Sequence, residues 1–261
     1  MIDLYYISIF QYALKKPNEE HLKGVYLVKK GILAFVTVIA VCLLSGMAIA
    51  SPSFLGVSGN ILTPNDQVLG IGDFNVNVHS LQLNDSITII GAGLGLTENF
   101  EVGIGNYHPA EAGASNETFF NVKYSVLKET ASRPALTVGL VDATGALHTG
   151  GDPGFFAVAG KNLTRVGSDI TGEPIGNLRG YVGFGSGIYE GLFAAADYTV
   201  SEKVHVVAEI INGLEMEGGL DEGFVFNAAV KVKITDSLSA DLALIDGNDL
   251  GFGITYMRMG L

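Results

Sequence analysis

The chain has 261 residues and a formal charge of −12, with 35 glycines, one cysteine and no tryptophan. Glycine, at about 13%, has about twice its average usage, and charged residues stand at only 16%. Positive mean hydropathy with few charges excludes disorder, glycines without a three-residue period exclude collagen, and a pI near 4.7 has the wrong sign for a nucleic-acid partner.

Taken in chain order, residues 1–50 read as an N-terminal extension and signal peptide. Lys29 and Lys30 precede an uncharged run, Gly31 to Ala50, that ends Ala48-Ile49-Ala50. A positive n-region, an apolar h-region and an A-x-A site are the parts of a secretory signal. The span is about 20 residues, so an uncleaved helical anchor is the rival. Cys42 lacks the small preceding residue of a lipoprotein signal, because Val41 stands there. From Ser51 onward the chain holds 10 Lys and Arg against 24 Asp and Glu, a charge of −14, and no cysteine. If Ala50 is the last residue removed, the mature chain therefore has no disulfide framework, although its compartment would permit one.

Residues 51–67 form a lead-in segment, and 68–261 read as strands. Twelve segments alternate with period two: 68–79, 86–96, 99–107, 118–128, 134–143, 154–164, 177–186, 190–200, 203–213, 223–234, 238–246 and 249–259. In the first, Phe74, Val76 and Val78 alternate with Asn75, Asn77 and His79. In the ninth, Val204, Val206, Ala208 and Ile210 alternate with His205, Val207, Glu209 and Ile211. The tenth sets Phe224, Phe226, Ala228 and Val230 against Asn227, Ala229, Lys231 and Lys233. The eleventh sets Leu238, Ala240 and Leu242 against Ser239 and Asp241. Most segments have the length that a tilted strand needs to cross a bilayer, and their number is even, as in bacterial outer-membrane barrels.

Three connections share one grammar of apolar, hydroxyl, acid, polar, apolar: Leu96–Phe100, Val200–Val204 and Ile234–Leu238. Hydroxyl and carboxylate side chains close such tight turns by bonding the local backbone. Between them lie longer Gly-, Asn- and acid-rich connections at 107–117, 143–153 and 213–223, with one exception at 165–176 on the short-turn side. The opposite strand ends rhyme as well. Val141-Asp142, Ile211-Asn212-Gly213 and Ile245-Asp246-Gly247 each leave an apolar run through Asp or Asn, residues that tolerate positive φ.

Alternation suits two architectures. A soluble β-sandwich would pack its apolar faces together, whereas an antiparallel up-and-down transmembrane β-barrel turns them to lipid and its polar residues and glycines to a lumen. Glycines crowd the strands, as Gly91, Gly93, Gly103, Gly105, Gly183, Gly251 and Gly253. Aromatics lie near strand ends, as Phe100, Tyr107, Phe119, Tyr189, Tyr198 and Tyr256, and are expected in interface girdles. Both features favour an all-β barrel of about 12 strands.

The last segment, Asp249-Leu-Gly251-Phe-Gly-Ile254-Thr-Tyr256, resembles the C-terminal signal by which outer-membrane barrels are recognised for assembly, although the chain runs on to Leu261. Ala208-Glu209-Ile210-Ile211-Asn212-Gly213 and Gly59-Asn60-Ile61-Leu62-Thr63-Pro64 are similar to segments of the YjbH-type bacterial barrels. That resemblance implies an outer-membrane barrel associated with exopolysaccharide export. It also implies the lipid bilayer and the barrel-assembly machinery as partners, with a polysaccharide or small solute as possible cargo.

Chemistry-bearing constellations are sparse. His79, His108, His148 and His205 show no metal-ligand spacing, and Ser125 and His205 read as polar-face residues rather than a hydrolase pair. The acidic residues Glu215, Glu217, Asp221 and Glu222, with Asp246 and Asp249, suit a solvated loop better than a calcium site. No catalytic residue, metal or cofactor is expected. The lumen-lining candidates are Asn75, Asn77, Asn121, Lys123, Glu209, Lys231, Lys233 and Asp241, whose mixed charge either lines a pore or closes it by pairing. The reading is a small pore or a structural envelope barrel. A soluble binding sandwich and a membrane-embedded hydrolase are the alternatives.

Overall fold

Twelve antiparallel strands form in the computed structural model: β1 (Phe74–Gln82), β2 (Ser86–Thr97), β3 (Phe100–Pro109), β4 (Glu117–Leu127), β5 (Ala135–Val141), β6 (Gly154–Asn162), β7 (Leu178–Gly185), β8 (Leu192–Ser201), β9 (Val204–Asn212), β10 (Phe224–Lys233), β11 (Leu238–Ile245) and β12 (Asp249–Arg258). The described residues are 51–83, 86–111, 115–148, 150–164, 176–214 and 223–260. The signal-peptide reading with Cys42, the acidic residues Glu215, Glu217, Asp221 and Glu222, and most of the 165–176 connection lie outside them.

Each strand pairs with its sequence neighbours, and β12 returns to β1 with Asn77 opposite Thr255 and His79 opposite Gly253. The sheet is therefore a closed barrel. Closure removes every edge and leaves no second sheet, which excludes the sandwich alternative. Register shifts occur at Gly95/Thr97, Ser125/Leu127 and Thr199/Ser201, all at the strand ends on the side of the 98–99 turn. Bulges of this kind steepen twist where the wall must curve.

The alternation sorts residues by face. Val78, Ile90, Ile104, Phe120, Val182, Phe226 and Ile254 point outward and are exposed, while Asn75, Asn121, Glu209 and Thr255 are buried inside. A continuous exposed belt of this kind is foreign to a water-soluble monomer. Inward glycines make room for rings on the neighbouring strand. A Cβ on Gly105 would fall 2.1 Å from the ring of its partner Phe119, and one on Gly253 would fall 2.0 Å from His79.

Three expectations change. β1 begins at Phe74 rather than near residue 68, because residues 70–73 turn: Gly70 N–H donates to Asp73 Oδ2 and Gly72 takes φ +77°. Tyr107, Phe119 and Tyr189 are not girdle residues but are buried in the core, while Tyr198 and Tyr256 are exposed. Parity decides this, since Tyr107 stands an even number of residues from inward Glu101, and Phe119 from inward Asn121. The lumen is also not uniformly polar. Leu81, Ile87, Ile89, Val141, Phe156, Ile211, Val225 and Ile245 form a buried apolar core inside the barrel.

The rhyming strand exits close by one clasp used twice. Asp142 and Asp246 take φ of 57° and 46°. Their backbone N–H groups donate to Asn121 Oδ1 and Asn227 Oδ1, at 2.8 and 2.9 Å. Asp142 goes on to accept from the backbone N–H groups of Ala146 and Leu147, ordering the loop that follows.

Candidate functional site: a lumen filled by the lead-in segment

Residues 51–69 run inside the barrel, and most of their side chains are fully buried, among them Phe54, Leu55, Val57, Ile61 and Leu62. Gly56, Gly59, Pro52 and Pro64 prevent regular structure, so the segment folds as two small turns joined by the bridges Pro52–Ser58 and Gly59–Pro64. Internal bonds run from Ser53 N–H to Val57 O, from Phe54 N–H to Ile61 O and from Asn60 N–H to Thr63 O. Those turns leave other N–H and C=O groups buried without a local partner, and the barrel wall supplies one.

Two carboxylates take the amides. The N–H groups of Ile61, Leu62 and Thr63 converge on Glu209 at 3.1, 2.8 and 3.1 Å, and the Thr63 hydroxyl donates to it at 2.7 Å. Asn227 Nδ2 adds a fifth bond from the neighbouring strand at 2.8 Å. Successive N–H groups turned onto one anion form a nest, the backbone's own anion site. Glu101 on β3 accepts from Ser58 N–H at 2.8 Å, Ser58 Oγ at 2.6 Å and Leu69 N–H at 2.9 Å.

Cations and amides take the carbonyls. Lys123 donates to Ser58 O and to Asn65 Oδ1, and Lys231 donates to Pro52 O and Gly59 O at 3.3 and 3.1 Å. Asn121 Nδ2 holds Leu55 O at 2.8 Å, Thr137 Oγ1 holds Asp66 O at 2.8 Å, and the Tyr189 hydroxyl holds Leu62 O at 2.8 Å. Burial and the nearby Glu209 push the Tyr189 hydroxyl well above its ordinary value, so it stays a donor. Arg179 forks onto the Asp66 carboxylate and reaches Glu129 Oε2 at 2.6 Å. Partial burial raises the Glu129 carboxyl. Donation by Asn162 N–H and Arg179 outweighs that, and the group lies below its ordinary value. Such charge-assisted bonds are the strong ones in a water-poor interior.

The wall formed by β1, β11 and β12 behaves differently. Phe54 stacks on His79 with ring centroids 4.5 Å apart, and His79 Nε2 stands 3.4 Å from Asp241 Oδ2, a long contact. Asn77 Nδ2 donates to Asn75 Oδ1 at 2.9 Å. Five buried atoms in this patch have no hydrogen-bond partner among the described residues: Asn75 Nδ2, Asn77 Oδ1, His79 Nδ1, Asp241 Oδ1 and Thr255 Oγ1.

Of the eight residues singled out in the sequence, Asn121, Lys123, Glu209 and Lys231 meet the lead-in segment. Asn75, Asn77 and Asp241 are buried in the β1–β11 patch. Lys233 lies at the end of β10, with Nζ 3.5 Å from Asp236 Oδ1 of the following turn. Sequence reasoning passed over Glu101, Thr137, Arg179 and Asp66, and although it set residues 51–67 apart as a lead-in, it gave them no place in the lumen. Glu101 shares the inward parity of Gly103 and Gly105, a usable signal. Phe54, Leu55, Ile61 and Leu62 are an apolar set that forms no strand and so must be covered elsewhere. His205 Nδ1 pairs with Asp197 Oδ1 at 3.0 Å. Among the described residues, no three His, Cys, Asp or Glu side chains gather as a metal ion would need.

No family model matches the chain, and no curated protein does. Among solved structures, the chain is similar to the KdgM porin, with a TM-score of 0.48 and 10% identity over 72% of this chain and 99% of that one. It is similar also to the outer membrane protein Omp33 of Acinetobacter baumannii, with a TM-score of 0.44 and 10% identity over 72% and 98%. The NanC porin gives a TM-score of 0.44 and 8% identity over 72% and 100%.

Proposed function

We propose that the chain is an outer-membrane β-barrel whose small pore is held shut by residues 51–69. The observation that carries this is the lumen's charge arrangement. Glu101, Glu209, Lys123 and Lys231 are spent on the backbone of the chain's own segment rather than on water. Open porins keep such groups solvated to form a channel, whereas small barrels are packed shut by what fills them. The exposed belt supplies the lipid contact, and β12 supplies the strand through which the assembly machinery would act. The role is passive, with conduction tied to displacement of the segment, and no hydrolase chemistry is invoked.

Planar-bilayer conductance tests this. The unmodified barrel is expected to stay silent, and the double substitution Glu101→Gln with Glu209→Gln to raise the frequency of conducting events at least tenfold. Heat-modifiable gel mobility verifies that both proteins are folded. Steady ohmic current through the unmodified barrel would overturn the closed-pore reading.

A finer reading, association with an exported polysaccharide, has one observation in its favour. The two stretches that resemble YjbH-type barrels, 59–64 and 208–213, meet in the lumen through Glu209. Retention of the purified barrel on immobilised exopolysaccharide checks it, and free elution would sink it.

A further inference from the structure

We infer that the lead-in segment opens in two stages, residues 51–57 leaving the wall of β1, β11 and β12 while residues 58–69 stay anchored. The inference rests on residues 51–69 filling the lumen, and it adds which part moves.

The grip of the barrel on the segment is lopsided. Residues 58–69 are held by Glu101, Lys123, Thr137, Arg179, Tyr189, Glu209 and one bond of Lys231, so that the carboxylates, carbonyls and amides on both sides are matched. Among the described residues, residues 51–57 receive two side-chain bonds from the wall, Asn121 Nδ2 to Leu55 O and Lys231 Nζ to Pro52 O. Two of the unpartnered buried atoms, His79 Nδ1 and Asp241 Oδ1, lie under this same stretch, and those of Asn75, Asn77 and Thr255 continue the inward face of β1 and β12 beside them. Phe54 covers His79, His79 touches Asp241, and Asp241 stands in register with Lys231, which holds Pro52. Thr255 is the partner of Asn77 across β1 and β12.

A buried polar atom without a partner favours any state in which water reaches it. On the β9 side, departure of the segment would exchange its four matched bonds to Glu209 for bonds to water, with no polar group better satisfied than before. On the β1 side, departure would hydrate five atoms that have no protein partner among the described residues. Withdrawal of residues 51–57 must break the bonds from Phe54 N–H to Ile61 O and from Gly59 N–H to Ser51 O, and it strips Phe54 from His79. Those costs hold the stretch closed most of the time. The orphaned strip of Asn75, Asn77, His79, Asp241 and Thr255 would then form the wetted wall of the partly open pore.

Amide hydrogen exchange of the full chain, isolated from the membrane into detergent micelles and read by mass spectrometry, tests this without any current measurement. Peptides covering 53–57 are expected to exchange at least tenfold faster than those covering 61–63. Thr255→Val, which keeps the shape and removes one orphaned hydroxyl, should slow 53–57 severalfold and leave 61–63 unchanged. Glu209→Gln should do the reverse, speeding 61–63. Equal protection of the two stretches in the unmodified chain, or a Thr255→Val chain with unaltered exchange at 53–57, overturns the two-stage opening. Either result would stand whether or not the barrel conducts.

Discussion

Glu209 and Asp241 are both carboxylates buried in the lumen, two strands apart, and they show what separates one wall from the other. Glu209 accepts three backbone amides, a hydroxyl and a side-chain amide. Asp241 has a single long contact to His79 and one oxygen with no partner among the described residues. Burial alone therefore says little about what a charge contributes. A desolvated carboxylate stabilises only when its lone pairs are filled, and otherwise it marks the side from which the structure yields.

The comparison can be broken hardest at Glu209. Glu209→Ala would leave the amides of Ile61, Leu62 and Thr63 buried and unpaired, at about 3–5 kcal/mol by analogy with a broken buried charge network. Thermal loss of the fast-migrating folded band on unboiled gels measures it. The same truncation at Asp241, Asp241→Ala, is expected to cost far less, since its one long contact to His79 leaves little to break.

Outside the lumen, Ile104→Lys would put an ammonium in the middle of β3's lipid-facing side. It should destabilise the barrel in bilayers by about 2–4 kcal/mol, as midplane lysines do, and refolding yields into liposomes report it. At the β7 rim, Arg179→Met would strand Asp66 and Glu129 together, at about 2 kcal/mol, with the loss growing smaller in high salt. Chemical denaturation at two ionic strengths checks both parts.

The pH response sharpens the picture at lower amplitude. Because the Glu129 carboxyl is held below its ordinary value, its contribution is present above the unfolded value of about 4.3 and is lost as pH falls through the folded one. Exchange in residues 128–134 should rise only in that acid window. The Tyr189 hydroxyl is held above its ordinary value, so it keeps its bond to Leu62 O past pH 10. The stability tied to it is fully present below about pH 10 and declines as pH rises toward the folded value, because the unfolded chain ionises first. The smallest effect belongs to Thr255→Val. Removing an orphaned hydroxyl should leave stability unchanged or raise it by about 0.5–1 kcal/mol in the same gel assay, the opposite sign to every change on the Glu209 wall.

Legibility was uneven along the chain. The strand faces could be read directly, because alternation of Asn75, Asn77 and His79 with Val76 and Val78 needs no knowledge of partners. The clasps at Asp142 and Asp246 were visible as short runs tolerant of positive φ, although not that Asn121 and Asn227 would cap them from the adjacent strand. The girdle assignment of Tyr107, Phe119 and Tyr189 failed where aromatic type was weighed above parity. The mixed charges Lys123, Lys231 and Glu209 pointed inward on paper, yet what they would bind could not be seen. Their partners are backbone groups of residues 52–63, more than 50 positions distant in each case.

By itself the sequence determined that the strands number about twelve, that they turn one oily and one polar or glycine-bearing face, and that the turns at 97–99 and 201–203 are tight. These are local matters, settled by a period of two and by side chains bonding their own backbone. Only the tertiary structure decided that β12 meets β1, and that residues 51–69 lie within the space enclosed. It also decided that one wall is satisfied by that occupant while the other is left wanting. Hydrogen-bond satisfaction is a property of pairs brought together by closure, and no pattern along a single strand encodes it.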